Sequence, residues 1–460
     1  MVNEDFKRMS TFAYITSYSD RFSRLICRIA HDAENNLSIT KLKDIGIFLF
    51  GSPSRQEMVE ESDADIMIIR AKDDENYLKF RGEFIRILKM NNFPKVDVPE
   101  WGTLEDCEVY LKFSIPEGNQ VMEAKFIYGD EEIQRKIISL KEKYCNEDRL
   151  QRVLCFQKLY FDQYYEQRNL NKSVKNVKYG HGGTRDLMFV TWFSNLLDVS
   201  NGNKIYTDDD SPLIYKSLGS LYQRKLFNFE DYKKYLKSIN VVLLLRNEIL
   251  IQNRGIENEG LTYLDEETIK RLFERKIFKE DFINSVEELK EYLENNLNNV
   301  RELKDQVWFS FLNYLSNTKG FIWAENFKKM LDGKIDNKIF RDIQEGDILT
   351  QIALVWNIHK ANLFDLQKEV FERYSSSKSW EVLASLCCHS RCPPYILDKI
   401  AMEIGIKKGY EYLLRIIARN KNTEKETLKK IMDNSNLEER FRVVAQTAYN
   451  IGVEKANELR

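Results

Sequence analysis

The sequence predicts an α+β protein in which a small mixed sheet near the N-terminus is followed by a long helical region. Three observations lead there. Only 7 prolines and 19 glycines interrupt 460 residues, of which 43% are hydrophobic. Apolar residues recur three and four apart over most of the chain, and the short β-prone runs are confined to its first hundred residues. The length predicts two to four domains, each able to fill its own core.

Taken in order, Phe12, Ile15, Phe22, Leu25, Ile26 and Ile29 form one helical stripe within residues 11 to 34. The run Ile47 to Phe50 is short, apolar and closed by Gly51, as a buried strand would be. Ala64 to Ile69 reads as a second strand, Tyr77 to Met90 as a helix, and Pro94 to Val98 as a third strand. From about 136 to 320 the pattern is amphipathic helix, broken at Asn176 to Thr184 and at Gly202 to Pro212, which predicts a helical bundle. Near the end, Leu386, Leu397 and Ile400 recur 31 residues later as Ile417, Leu428 and Ile431. A period of that size fits stacked helix pairs of the HEAT-like kind, each burying its apolar face against its neighbours. The expected division is therefore 1–135, 136–325 and 326–460.

Charge and cysteine usage narrow the function. Lys plus Arg (70) nearly balances Asp plus Glu (72), so no global field draws the molecule onto nucleic acid or an acidic membrane. Seven irregularly spaced cysteines do not suit a secreted disulfide framework. Met-Val-Asn-Glu-Asp-Phe-Lys-Arg lacks an apolar signal core, and no stretch reaches the roughly 18 apolar residues of a membrane span. The expected location is cytoplasmic.

The chemistry gathers in Phe48-Leu49-Phe50-Gly51-Ser52-Pro53-Ser54-Arg55-Gln56-Glu57, followed by Ser62-Asp63-Ala64-Asp65 opening an apolar strand. A strand ending in Gly-Ser and leading into a helix start can hold a triphosphate with backbone N–H groups and a hydroxyl. Asp63 and Asp65 are two apart on a strand, so both carboxylates face one side and can share hard divalent cations. Gly-Ser or Asp-x-Asp alone would be an ordinary turn or a solvated strand end; the joint pattern with Arg55 points to an enzyme. Asp97 is the best candidate for a third carboxylate on a neighbouring strand, with Glu123, in a more helical context, as its rival. A second constellation, Asn176 to Arg185, is a glycine-rich loop opening a helix, with Lys175, Lys178 and Arg185 around it.

These residues resemble the polymerase-β-type nucleotidyltransferases that modify regulators of nitrogen metabolism: PII-protein uridylyltransferase and glutamine-synthetase adenylyltransferase. Gly51-Ser52-x-x-Arg55-x-Glu57 with Ser62-Asp63-x-Asp65 is similar to their first motif. Lys95-Val96-Asp97-Val98 is similar to the strand that supplies a third metal ligand, and Met122 to Asp130 to their EAR-xx-AGD segment. Lys178-Tyr179-Gly180-His181-Gly182-Gly183-Thr184-Arg185-Asp186-Leu187 resembles their K-x-G-x-GG-(L/I)-RD signature, with Thr184 in place of Leu or Ile. Arg246-Asn247-Glu248-Ile249-Leu250 lacks the histidine that often ends the corresponding motif, and no phosphohydrolase His-Asp pair or effector-sensing module is legible.

The resemblance implies transfer of a nucleoside monophosphate from a nucleoside triphosphate to an acceptor hydroxyl, expected to lie on a protein, with release of pyrophosphate. Asp63, Asp65 and Asp97 would hold two Mg2+ ions, with Mn2+ as an alternative. Gly51, Ser52, Arg55, Lys178, Gly182, Gly183 and Arg185 would bind the nucleotide. The 136–325 helices would close the cleft, and the repeats would recognise the acceptor. The alternatives are an antibiotic- or oligonucleotide-type nucleotidyltransferase and a nucleotide-binding regulator with little turnover. Two further features need no function. Cys387, Cys388, His389 and Cys392 lack a second ligand pair for zinc and fall partly on the repeat's apolar face, and Asp265 to Lys279 reads as a solvated helix face.

Overall fold

The computed structural model describes residues 11–38, 42–58, 63–72, 75–91, 96–99, 101–168, 175–178, 180–203, 213–252, 263–278, 283–343, 347–361 and 364–453. Ser62, Pro94, Lys95, Tyr179 and most of the 202–212 break lie outside them. The chain forms two compact units. The first comprises Met1–Cys107, Gln120–Cys145 and Tyr165–Ser310; the second comprises Glu108–Asn119, Asn146–Tyr164 and Phe311–Arg460. These units cut the chain differently from a division at 135 and 325, because the sheet and the helices that follow it up to Ser310 share one unit.

In the first unit, strands β1 (Ile45–Leu49), β2 (Ala64–Arg70), β3 (Val96–Asp97) and β4 (Lys125–Gly129) form a mixed sheet in the order β3-β2-β1-β4. β1 runs antiparallel to β2 and β4, and β2 runs parallel to β3. The alternation of side chains explains the layering. Ile45, Ile47 and Leu49 of β1 and Ala64, Ile66 and Ile68 of β2 share one core. Phe22, Ile26 and Ile29 of the helix Thr11–Asn36 and Phe80, Phe84 and Leu88 of the helix Glu75–Met90 fill the same core. Asp65 lies out of phase with that set, on the opposite face, and Asp63 continues the same alternation just before β2.

β4 is an addition to the expected strands. Its Phe126, Ile127 and Tyr128 are only half-buried, so no continuous apolar run announces it, yet it pairs along β1 through a bulge between Ile47 and Phe48. Gly129 and Asp130 secure its end. The Asp130 carboxylate accepts from Glu132 N (2.9 Å), capping the helix Glu131–Tyr144, and from Asp44 N (2.9 Å) beside the start of β1. The Gly-Asp of the Met122 to Asp130 segment thus has a structural use.

In the second unit, alternate helices pack in succession: Ile348–Asn357 on Trp380–Cys388, that helix on Tyr412–Ile417, and the last on Glu439–Ile451. Turns one helix pair apart are tied together. Asn420 Nδ2 donates to Cys387 O (2.7 Å) and His389 O (3.0 Å), and Asn422 Nδ2 donates to Ser390 O (2.8 Å) and Cys392 O (2.9 Å). The Phe156 ring lies 5.3 Å from Trp380 and 6.4 Å from Trp356, so the 146–164 segment completes this core. Cys387 and Cys392 are buried, and none of the seven cysteines forms a disulfide.

Candidate active site

The Gly-Ser turn forms because the chain must leave β1 sharply without losing contact with β2. Phe50 N donates to Asp65 O (3.2 Å), and Gly51 then adopts φ +62°, the left-handed region that favours glycine. A methyl group at Gly51 would lie 2.4 Å from Asp65 Oδ2, so the backbone here rests directly against that carboxylate. The helix that follows is a single turn, Gly51–Ser54, not the longer helix start expected of a triphosphate cradle. Ser52 is buried within it, and Ser54 Oγ donates to Gly51 O (2.9 Å).

β2 and β3 then bring the second and third carboxylate positions level. Asp97 is the register partner of Asp65, and Ala64 that of Val96. The set Asp63, Asp65 and Asp97 offers only hard carboxylate oxygens, a chemistry suited to Mg2+ or Mn2+. Among the described residues no group of three or more His, Cys, Asp or Glu side chains is placed to hold a metal ion; the Asp97 side chain is not among them.

Arg55 is held between two carboxylates. Its Nε donates to Glu57 Oε2 (3.0 Å) and its Nη1 to Glu123 Oε2 (2.6 Å), with all three side chains about nine-tenths buried. Burial works against the Arg55 charge, but Glu123 and Glu57 together hold its pKa above the ordinary value. Burial likewise raises the Glu123 carboxyl, and Arg55 offsets part of that. Glu123, the rival third ligand, is therefore engaged at the end of the helix Pro116–Glu123. Arg55→Met should leave two buried carboxylates without their cation and lower stability by about 2–4 kcal/mol. Chemical denaturation would read this, and an unchanged unfolding midpoint would show the triad to be idle.

The second constellation is a packed junction. Gly182, at φ +78°, lies so close to the helix Val286–Lys319 that a methyl group would meet Leu297 O at 1.8 Å. Its N–H donates to Asp186 Oδ2 (2.7 Å), and Asp186 Oδ1 pairs with Lys304 Nζ (3.1 Å), both side chains almost wholly buried. Burial raises the Asp186 carboxyl, with Lys304 opposing it. Sequence reading had no means to find Lys304, which sits 118 residues beyond Asp186 without a local motif. At the start of the helix Thr184–Ser200, Thr184 N donates to Val177 O (2.9 Å), Arg185 N to Lys178 O (3.1 Å) and Asp186 N to Gly183 O (3.0 Å). The backbone donors expected to hold phosphate are thus engaged by local carbonyls.

The two constellations meet in the first unit. Leu213 N donates to Arg55 O (3.1 Å), and Arg246, from the helix Phe229–Gln252, donates through Nη1 to Glu57 O (3.3 Å). Arg185 lies within electrostatic range of both Glu123 and Arg246. A small cavity lined by Met122, Glu123, Lys141, Thr191, Trp192, Asn195 and Leu213 adjoins this junction.

Comparison with known families agrees with the second constellation. Residues 161–308, about a third of the chain, match the family model described as GlnD PII-uridylyltransferase. The matched residues include Gly180 to Leu187 and Arg246 and exclude Gly51 to Asp97. No curated protein matches the chain. The match supports a nucleotidyltransferase enzyme similar to the PII-uridylyltransferases over those residues.

Proposed function

We propose that the chain transfers a nucleoside monophosphate from a nucleoside triphosphate to a hydroxyl on a protein acceptor. The observation that carries the reading is the abutment of Gly51 on the Asp65 carboxylate, with Asp97 at the same level of the neighbouring strand. The match to a uridylyltransferase family model over 161–308 supports the same chemistry and favours UTP as the donor. Asp63, Asp65 and Asp97 would hold two Mg2+ ions, which when bound neutralise phosphate charge and acidify the acceptor hydroxyl. The acceptor oxygen bonds to the α-phosphorus, the α–β anhydride bond breaks, pyrophosphate leaves, and the hydroxyl proton passes to Asp97 and then to water. Ser52 and the Gly51 backbone would position the phosphates, with Lys178 and Arg185 adding positive charge.

The family model names PII as the acceptor of its members, and a protein of that kind is the acceptor proposed here. The stacked helices of the second unit, read as HEAT-like repeats, would provide its docking surface. Among the described residues no helix is long and apolar enough to cross a membrane. Truncation near residue 330 does not test this role cleanly, because Phe156 and Arg152 of the 146–164 segment pack against Trp380 and Glu381 of the tail. Substitution at the exposed Val443 and Ile451 of the helix Glu439–Ile451 is the better probe. Val443→Glu with Ile451→Glu should cut transfer to the acceptor by about tenfold, equivalent to ~1.4 kcal/mol, while leaving nucleotide affinity intact. Equal transfer by the variant would remove that face from the proposal.

The reading is tested by incubating the protein with each α-labelled nucleoside triphosphate, Mg2+ and a cell lysate. A labelled protein, strongest with UTP, is the expected result. Label confined to a small molecule or an oligonucleotide would favour the antibiotic- or oligonucleotide-type alternative.

A further inference from the structure

Arg246 of the Arg246 to Leu250 segment reaches the Glu57 carbonyl, which follows the Gly-Ser turn, and its surroundings are unusual for a guanidinium. It is half-buried, donates to the Glu57 backbone carbonyl rather than to the carboxylate, and forms no ion pair among the described residues. The carboxylate that could have neutralised it is taken: Glu57 Oε2 accepts from Arg55, which also holds Glu123. Arg246 feels the charges of Arg55, Arg185 and Asp65 as well as Glu57, and desolvation, aided by the two arginines, pushes its pKa down. Arg246 therefore sits among the charges of Arg55, Arg185, Glu57 and Asp65, while the Glu57 and Glu123 carboxylates are bound by Arg55.

A half-buried guanidinium with no carboxylate in hydrogen-bond contact has its desolvation only partly offset by the nearby charges of Glu57 and Asp65, and a planar fork of donors matches phosphate oxygens. Arg55 cannot supply that fork, since its Nε and Nη1 are committed to Glu57 and Glu123. The helix Phe229–Gln252 buries Asn247, Glu248 and Ile249 next to Arg246. We propose that Arg246 contacts the phosphates of the donor nucleoside triphosphate, taking the place that the sequence suggested for Arg55. The inference rests on the nucleotidyl-transfer reading and names a ligand-contacting residue for it. Arg55, in turn, is a positioning residue that holds the Glu57 side chain, whose backbone carbonyl accepts from Arg246.

The test compares Mg2+-dependent binding of UTP, UMP and uridine to the wild-type chain, Arg246→Met and Arg246→Lys by calorimetry, with thermal melting of each. Arg246→Met should weaken UTP binding at least tenfold and leave uridine binding unchanged, with Arg246→Lys intermediate because it keeps the charge and loses the fork. Equal UTP affinity in all three chains would overturn the inference while leaving the transfer reading in place. A wild-type chain that binds no nucleoside triphosphate with Mg2+ would overturn both. If Arg246→Met melts early, Arg246→Lys decides: a folded Arg246→Lys chain with wild-type UTP affinity and wild-type discrimination between UTP and UMP counts against phosphate contact.

Discussion

Asp63→Asn and Asp65→Asn will each reduce transfer by at least about a hundredfold while the protein stays folded. A carboxylate bridging metal ions has no neutral substitute, and loss of its charge removes transition-state stabilisation rather than binding alone. The fold should tolerate both changes. Neither position belongs to the apolar core that joins β1 and β2 to the two flanking helices, and Asn keeps the volume of Asp. Circular dichroism and melting would establish folding, and label incorporation would read transfer. If both variants keep more than about a tenth of the wild-type rate, these residues are not the metal-holding pair.

Lys304→Met should produce the largest loss of stability, about 3–5 kcal/mol near neutral pH, because it strands the buried Asp186 carboxylate without its cation. The pH dependence follows from the direction of the Asp186 shift. Its folded pKa lies above the unfolded value near ~3.9, since burial penalises the charged form. Its contribution is therefore intact below the unfolded pKa and is lost as pH rises through the folded one. Removing Lys304 raises the folded pKa further, so the variant should fall behind the wild type more at pH 8 than at pH 5. Adding Asp186→Asn to Lys304→Met should restore part of the loss, because the amide oxygen can still accept from Gly182 N. Denaturation at the two pH values measures this. A deficit that does not change with pH would mean that Asp186 is not the group left uncompensated.

Much of the sheet could be read in the sequence because its strands are bounded by residues with one physical meaning. Gly51 closes β1 where the backbone must turn against Asp65, and the apolar run after Asp65 has no other use than a buried strand. β4 escaped because Lys125 to Gly129 carries no buried alternation, and its pairing with β1 spans about eighty residues of sequence. At the candidate site, sequence placed Asp63, Asp65 and Asp97 together, and the register of β2 and β3 aligns the last two. It could not foresee that Arg55 would be occupied by Glu57 and Glu123, since the Glu123 contact is long-range. Nor could it foresee that the N–H groups after Gly182 would be spent on local carbonyls, or that Arg246 would donate to the Glu57 carbonyl after the Gly-Ser turn. Each of these depends on which side chain reaches a charge first, a tertiary outcome that local patterning does not encode.

The most direct measurement follows the two ends of one nucleotide. UTP labelled at the α-phosphate and UTP labelled at the γ-phosphate are each incubated with Mg2+, acceptor-containing lysate and either the wild-type chain or Asp65→Asn. The account predicts α-label on a protein and γ-label in pyrophosphate in equal amounts, both abolished by Asp65→Asn. Label from the γ-phosphate on the acceptor, or α-label transfer that survives Asp65→Asn, would contradict it.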